Sequence, residues 1–319
     1  MSRLSFFVPT EIDVPVHVYD SELALVDRRL SSEELDVEPG LYSVVAQLPH
    51  GGEASVAIEV GEEAACAELK EDPRRRWSEP AFIPHLHRPS RDAERLLHLD
   101  LLHSHGQIPH SRFPTVIFIP RGHEQYFAAI HLLRPDGRAE SAIGLAHGPA
   151  DTLLGYLQRG LFEDARLLSE SDELLAETLL FAKRQDPVAA AAGAFALLYL
   201  GALDRLHDWT SNLAEWFEWL PDGQVALAEH MARLGKHEVA CELLRDLPKR
   251  GIPALSVAVS CAADRLRTYR AHWPQDGRVR SAQRQLAHVA AHADVQAKVT
   301  TIVEPDREFL ALWQERYGI

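Results

Sequence analysis

The chain has 319 residues, of which 46% are hydrophobic and 25% are charged. A chain of that length can bury two hydrophobic cores, so we expect two domains. Its formal net charge of −14 argues against nucleic acid as a partner, because phosphate binding requires a cationic surface. Residues 1–72 hold 16 Asp or Glu against 4 Lys or Arg. The first domain is therefore expected to carry most of the negative charge.

The cysteines and the apolar runs predict the cellular compartment. Cys66, Cys241 and Cys261 are isolated thiols without a CxxC pair, which is typical of a reducing compartment. The start of the chain, MSRLSFFVPTEID, has an apolar run too short for a signal peptide. The uncharged run 188–203 has 16 residues, whereas a membrane span needs about 20. We therefore predict a cytoplasmic protein without a membrane partner.

Residues 1–70 alternate between apolar and polar side chains in the manner of short β-strands, as in 14–18 and 56–60. Turn sequences such as EPG at 38–40 separate these runs, and short strands at this spacing predict an antiparallel β-sandwich. The run LDVEPGLYSVVAQLPHGGEASVAIEV resembles the small prealbumin-like sandwiches of the carboxypeptidase-regulatory and PEGA type. That resemblance implies an accessory, binding or spacing module and no catalytic residue.

A connector rich in histidine and arginine, 71–111, separates these strands from a second β segment. We interpret the connector as a solvated loop or as an internal partner for the acidic first sandwich. The alternative is a docking strip for an acidic protein. Further strands are predicted at 113–121, 126–133 and 138–146. A Pro-Asp-Gly turn joins the last two into a hairpin that closes a second β-layer, so the β region is expected to cover 1–148.

Helical spacing of apolar residues begins at Asp151 and continues to the end of the chain. Asp186-Pro187 and Asp222 are typical helix starts, because a carboxylate caps free amides and proline fits the first turn. The second domain is therefore expected to be all-α over 149–319. Its helices are predicted at 151–159, 162–184, 187–202, 208–220, 223–234, 237–248, 254–272, 277–302 and 305–317.

A repeat of 34 residues runs through the centre of this helical part. It superimposes a proline, a leucine and a glycine in the pairs Pro187/Pro221, Leu200/Leu234 and Gly201/Gly235. A period of 34 is typical of one helix–turn–helix unit in a stacked array. Over about 152–255 the pattern resembles the tetratricopeptide (TPR) family, which implies a helical solenoid. The array is irregular, because Gly160 precedes Gly201 by 41 residues and Leu206 replaces a small residue at the helix crossing.

Aromatic residues mark two further helical faces. The segment 208–220 places one apolar stripe toward the predicted core, made of Trp209, Leu213, Trp216, Phe217 and Leu220. Trp219 lies off that stripe and is the aromatic residue predicted to contact a partner. The tail at 305–317 is also amphipathic. Because a terminal repeat must cover the open end of a solenoid, we predict a C-terminal capping helix in preference to a detachable peptide ligand.

The 17 histidines raise the question of a metal site. The HLH and HSH pairs place two imidazoles on one side of an extended strand, a spacing that can bind zinc or a non-haem metal. The candidate ligands are His85, His87, His103 and His105. The two pairs are 16 residues apart at the nearest, and no HExxH motif is present. We therefore predict neither a metal ion nor another cofactor and keep these histidines as candidates only.

Other catalytic signatures are missing from the sequence as well. GxSxG, GxGxxG and GxxxxGK[ST] do not occur. Cys241 and Cys261 lie in apolar helical patterns, where a thiol is typically inert packing. The sequence therefore predicts a protein that is not an enzyme.

An arginine-rich stretch near the end of the chain contains one acidic residue, Asp276. Its members are Arg265, Arg267, Arg270, Arg278, Arg280 and Arg284. We interpret the stretch as a solvated helix face. The alternatives are contact with the acidic N-terminal sandwich, in the same chain or another copy, and contact with an acidic external partner through bidentate pairs.

Together these patterns predict an α+β protein in separate domains, with an antiparallel β-sandwich region followed by an all-α TPR-like solenoid. The function expected of that architecture is a non-enzymatic scaffold or adaptor that binds a protein partner on a helical surface. Homo-oligomerisation stays open. The alternative is a metal-dependent enzyme or a ligand-binding sensor with its site in the His-rich β region.

Overall fold

The computed structural model describes residues 2–8, 10, 12–48, 53–69, 95–98, 115–119, 122–133, 139–170, 174–294 and 297–303. The strands are β1 Ser2–Phe7, β2 Pro15–Tyr19, β3 Leu25–Leu30, β4 Leu35–Val37, β5 Gly40–Gln47, β6 Glu53–Val60, β7 Ala65–Glu68, β8 Arg95–His98, β9 Thr115–Ile119, β10 Phe127–Leu133, β11 Ala139–Leu145 and β12 Thr301–Val303. The helices are α1 Gly148–Gln158, α2 Phe162–Ser169, α3 Leu175–Phe181, α4 Pro187–Tyr199, α5 Trp209–Trp216, α6 Pro221–Arg233, α7 His237–Arg250, α8 Ser256–His272 and α9 Gly277–His292. Sheets thus occupy the N-terminal part and helices the C-terminal part, as predicted.

The first seven strands form two sheets over one hydrophobic core. One sheet has the order β3-β2-β5-β6 and the other has the order β4-β1-β7. Leu4, Val16 and Val44 are fully buried between them. Strands β1 and β7 pair in parallel, so the prediction of purely antiparallel pairing is wrong at this ladder. Because β1 and β7 are the first and last strands of the unit, the strands between them supply the long crossover that a parallel pair requires.

The remaining strands connect the middle of the chain to its far end. Strand β8 lies inside the predicted connector 71–111 and pairs with β9. Strands β10 and β11 form the antiparallel hairpin that the Pro-Asp-Gly turn predicts. Phe127, Ile143 and Leu145 of this hairpin are buried in the same core as the helices. Where the boundary between the two domains falls therefore stays a prediction.

Strand β12 corrects the prediction that 149–319 is all-α. The helix predicted over 277–302 ends at His292, and Thr301–Val303 pairs with β9 instead. The run VTTIV at 299–303 is β-branched at every position, and such side chains favour a strand because they are stiff at χ1. The predicted capping helix at 305–317 lies outside the described residues.

Helices α1, α4, α6 and α8 form a row in which each helix contacts the next. Helices α5 and α7 contact α6, and α9 contacts both α7 and α8. Every residue of α4 from Pro187 to Leu198 is buried. The long uncharged run is therefore an interior helix.

The 34-residue repeat appears as a repeated pair of helix ends. Helices α4 and α6 begin at Pro187 and Pro221 and have 13 residues each. The glycine after each helix has a positive φ, +76° at Gly201 and +78° at Gly235. In both cases the glycine N–H and the next N–H donate to carbonyls of the last turn, the hydrogen-bond pattern of a Schellman cap. The second helices differ: after Gly201 a 3₁₀ turn with the fully buried Leu206 precedes the short α5.

Three polar contacts tie the first β unit to α1 and α2. The hydroxyl of Tyr156 donates to the carbonyl of Gln47 at 2.7 Å. Arg159 donates to the carbonyl of Leu48 at 3.4 Å. Nε2 of His17 lies 2.7 Å from Oδ1 of Asp164, and both side chains are buried. The two halves of the chain are therefore joined by specific hydrogen bonds as well as by the covalent link.

Asp222 holds the start of α8 against the start of α6. Its carboxylate is fully buried and accepts the N–H groups of Ala254 and Leu255, both at 2.8 Å. The sequence predicts Asp222 as a cap of its own helix, but it caps the segment before α8 instead. Burial raises the pKa of Asp222 to about 6, against the backbone hydrogen bonds that lower it.

We expect the α3–α4 contact to tolerate no added carbon at Gly193. A Cβ on Gly193 would lie 2.5 Å from the carbonyl oxygen of Ala176. Gly193→Ala should therefore lower the free energy of unfolding by about 1–2 kcal/mol, although alanine is the better helix former. Gly277→Ala, at the start of α9 with open space around it, is the control and should be near neutral. Equal urea midpoints for both variants would contradict the close approach.

The second prediction concerns pH. Because the folded pKa of Asp222 lies above its ordinary value of 3.8, the folded state holds the proton longer than the unfolded state. Stability should therefore fall as pH rises from about 4 to about 6, by up to roughly 3 kcal/mol. Asp222→Asn cannot lose this proton, so its destabilisation relative to wild type should be larger at pH 4 than at pH 7. Urea unfolding at both pH values checks this, and a pH-independent difference would contradict it.

Candidate partner-binding surface

A charged cluster lies where α6 and α8 meet beyond the end of α4. Glu229 accepts hydrogen bonds from Nε and Nη2 of Arg265 at 2.8–2.9 Å and from Nε of Arg233 at 2.8 Å. The Glu229 side chain is 8% exposed, whereas both arginines are partly exposed. We refer to Glu229, Arg233 and Arg265 as the Glu229 cluster.

The helices themselves position the three side chains. Glu229 and Arg233 are four residues apart on α6, so they share one face of that helix. Arg265 reaches the same carboxylate from α8, the next helix of the row. Nη1 of Arg233 also donates to the carbonyl of Leu198 at the end of α4, which satisfies one of the free carbonyls of a helix C-terminus. The cluster therefore joins three neighbouring helices.

The Glu229 cluster is held rigidly but keeps hydrogen-bonding capacity. Two guanidinium groups share one carboxylate, which leaves one net positive charge. Within the described part of the chain, Nη1 of Arg265 and Nη2 of Arg233 donate to no protein atom. Burial lowers the pKa of Arg265, but the hydrogen bonds and charge of Glu229 outweigh burial and raise it above its ordinary value. Arg265 therefore stays a cation, and both arginines keep donors for an anionic group.

Exposed aromatic rings border the cluster. Phe162 at the start of α2 and Tyr199 at the end of α4 stack with ring centroids 6.1 Å apart, and both are exposed. Tyr199 follows Leu198, whose carbonyl accepts from Arg233, so the residue lies beside the cluster. Partial burial, together with the negative charge of Glu229, raises the pKa of Tyr199 to about 12. Burial also raises the pKa of Cys261 well above its ordinary value, so the thiol stays protonated. This face therefore offers aromatic rings for contact and guanidinium groups for hydrogen bonding.

Trp219 has neighbours inside the chain. Its ring stacks on His123 with centroids 3.5 Å apart and lies 6.1 Å from Tyr126. It therefore packs the α5–α6 loop against the 3₁₀ turn before β10, and its predicted contact with a partner stays a prediction. Trp216, predicted in the core, is 48% exposed. Because α5 ends at Trp216, the later residues of the predicted stripe no longer follow helical spacing.

The six arginines of the arginine-rich stretch lie on α8 and α9. Arg265 belongs to the Glu229 cluster, and its neighbours contact other residues. The contacts are Arg267 with Asp264, Arg270 with Gln283, Arg278 with Asp246, and Arg280 with the carbonyl of Pro274. Arg284 is exposed and makes no hydrogen bond or ion pair with the described residues. Among those residues, no hydrogen bond or ion pair joins these arginines to the acidic first sheets.

The metal candidates cannot be placed. His85, His87, His103 and His105 all lie outside the described residues. In the part of the chain that is described, no group of three or more His, Cys, Asp or Glu side chains could hold a metal ion. The same residues contain no helix with the length and apolarity needed to cross a membrane.

Sequence reasoning named Arg265 as a candidate but missed the other residues that build this surface. Glu229 and Arg233 carried a readable signal, their spacing of four on a predicted helix. Phe162 and Tyr199 carried another, because each lies within two residues of a turn glycine, Gly160 or Gly201, where a helix end is exposed. Nothing local indicates that Arg265 joins them.

The architecture defines a protein with N-terminal sheets and a C-terminal part of paired helices. The chain belongs to the Y4kD C-terminal domain family, whose pattern matches residues 152–317. Over 135 residues it is 32% identical to a protein named "probable protease" from a Desulfuromonadales bacterium. That match covers 41% of this chain and 16% of the relative, so the chain spans about a sixth of the relative's length. No solved structure matches the chain.

The third prediction tests the cluster itself. Glu229→Gln removes the carboxylate charge and leaves two neighbouring guanidinium groups without a counter-ion. We expect a loss of about 3 kcal/mol in the free energy of unfolding, at the low end for a broken buried pair. Asp264→Asn, which breaks an exposed pair with Arg267, is the control and should cost under about 0.5 kcal/mol. Similar urea midpoints for the two variants would show that Glu229 does not organise the arginines.

Proposed function

We propose that this protein is a non-enzymatic scaffold or adaptor that holds a protein partner on the face formed by α4, α6 and α8. The proposal includes an irregular TPR-like solenoid for the helices and a prealbumin-like β-sandwich for the first seven strands. It also includes a cytoplasmic location, with neither nucleic acid nor a membrane as partner. One observation carries it: the Glu229 cluster keeps free guanidinium donors beside the exposed Phe162–Tyr199 pair.

Arginine and aromatic side chains supply most of the binding energy in protein interfaces. Their contribution grows when they are ordered before binding, because less conformational entropy is lost on association. Here Glu229 fixes both guanidinium groups, and stacking orients the rings of Phe162 and Tyr199. The surface therefore combines the residue types and the preorganisation that a partner site needs.

The relative's size supports a modular role. Its matched segment is 16% of a much longer protein whose printed name is "probable protease". A segment that makes up a small part of a longer protein is expected of a unit that binds or positions another part. We propose that holding a partner, and not cleaving it, is the role of this chain. The alternative of a metal-dependent enzyme or ligand-binding sensor depends on the histidines of 71–111 and stays a prediction.

The fourth prediction tests partner binding. The tagged full-length chain, expressed in its own host and cross-linked before purification, should recover a stoichiometric protein partner. Replacing both Phe162 and Tyr199 with serine should reduce that recovery at least tenfold, or about 1.4 kcal/mol, while the thermal midpoint changes little because both rings are exposed.

Val239→Ser is the matched control, since Val239 is an exposed apolar residue on α7, which is not one of the helices of the proposed face. It should leave recovery unchanged. Absence of a stoichiometric partner with wild type, or equal recovery with the double variant, would overturn the proposal.

A further inference from the structure

Two exposed surfaces lie apart from the Glu229 cluster and differ in character. The first is the hairpin tip, residues 20–27, which comprise the turn after β2 and the first three residues of β3. It exposes three apolar side chains, Leu23, Leu25 and Val26, with Leu23 74% exposed. It also contains three carboxylates and no Lys or Arg. The hairpin tip is thus an acidic and apolar projection from the first β unit.

Local hydrogen bonds hold the hairpin tip in one shape. Oδ1 of Asp20 accepts the N–H groups of Glu22 and Ala24, both at 2.9 Å. Leu23 has φ +63°, a left-handed conformation that leucine rarely adopts. Asp27 contacts Arg29, so the carboxylate of Glu22 is the one at the tip without a hydrogen bond or ion pair to a described residue. The tip therefore presents an apolar side chain and a free carboxylate side by side.

The second surface is the Trp209–Trp216 patch, made of Phe181, Lys183, Arg184, Trp209 and Trp216. Phe181 is 70% exposed and meets Trp209 edge-on, with ring centroids 5.7 Å apart. Nζ of Lys183 lies 5.4 Å from the ring centre of Trp209 and 5.6 Å from that of Trp216. The guanidinium of Arg184 lies 4.8 Å from the ring centre of Trp216. The patch is therefore aromatic and cationic.

The charge of this patch is not balanced within the chain. Lys183 is 5% exposed, and its ammonium donates to the carbonyl of Leu180 at 3.3 Å. Among the described residues, no carboxylate lies within ion-pair distance of Lys183 or Arg184. Burial, followed by the charge of Arg184, lowers the pKa of Lys183. A poorly solvated ammonium without a carboxylate is costly, and a carboxylate supplied from outside would offset that cost.

We propose that the hairpin tip of one copy docks on the Trp209–Trp216 patch of a second copy. Leu23 packs on the exposed rings of the patch, and the carboxylate of Glu22 approaches the exposed guanidinium of Arg184, next to the buried Lys183. Each surface supplies what the other lacks: an apolar knob and an anion on one side, aromatic faces and cations on the other. Charge complementarity within one sequence favours a second copy over a foreign protein as the occupant.

Such an interface is heterologous, because it joins two different surfaces of the same chain. Every copy carries one tip and one patch, so docking continues from copy to copy until a ring closes. This self-association goes beyond the proposed partner binding and uses neither Phe162 nor Tyr199. The two proposals therefore fail independently.

The test is sedimentation velocity on the full-length chain over a range of concentrations. Wild type should associate with a dissociation constant on the order of micromolar, as for a small interface. Leu23→Asp removes the knob and suits the left-handed backbone better than leucine does. Phe181→Asp alters the patch at a largely exposed position. Each variant alone should be monomeric.

Mixing the two variants is the decisive arm. The Leu23→Asp copy keeps its patch and the Phe181→Asp copy keeps its tip, so together they should form a dimer that cannot grow further. Leu41→Asp, at an exposed apolar position on β5 outside both surfaces, should associate like wild type. The proposal is overturned if wild type is still monomeric at a protein concentration of about 100 times the expected micromolar dissociation constant. A mixture that stays monomeric, or capture of a foreign protein by the patch with no self-association, also overturns it.

Discussion

The burial of α4 among α1, α3 and α6 is the contact on which the rest of the structure depends. Seven of its 12 buried residues are alanine or glycine, and Gly193 lets the backbone of α3 approach without a side chain between them. Because small residues bring helix axes close, α6 lies directly beside α4 and its C-terminal turn reaches the last carbonyls of that helix. Arg233 bonds to Leu198 for this reason. The candidate surface is thus a consequence of how an alanine-rich helix packs.

Much of the helical part could be predicted because proline and glycine mark its boundaries. Pro187 and Pro221 start helices, and Gly201 and Gly235 end them, each for a backbone reason that acts within a few residues. The segment after Gly201 could not be predicted in the same way. Leu206 is compatible with a helix by propensity, yet a 3₁₀ turn forms there and buries its side chain fully. The sequence analysis predicts a helix through β12, because it extends the apolar period of the preceding helix to residue 302. The β-branched run at 299–303 was the signal that favours a strand there.

The candidate surface shows a similar division. The spacing of Glu229 and Arg233 reports a shared helix face, but no local pattern reports that the carboxylate is buried. Arg265 was grouped with arginines near it in sequence, whereas its partner lies 36 residues away. The density of arginines along the sequence therefore did not indicate which of them lie together in space, because neighbouring positions of a helix point in different directions. Trp216 is exposed although it was expected in the core, since α5 ends earlier than its apolar period indicates.

Strand β12 has a consequence for how the molecule can be divided. After leaving the β region at α1, the chain returns to it, and β12 adds its edge to β9. A fragment that begins where the Y4kD family match begins would contain β12 without its neighbour. The orphaned strand would then offer unsatisfied amides and carbonyls to any extended peptide, a recognised route to aggregation. The residues matched by the family and the residues joined by hydrogen bonds into one fold therefore have different boundaries.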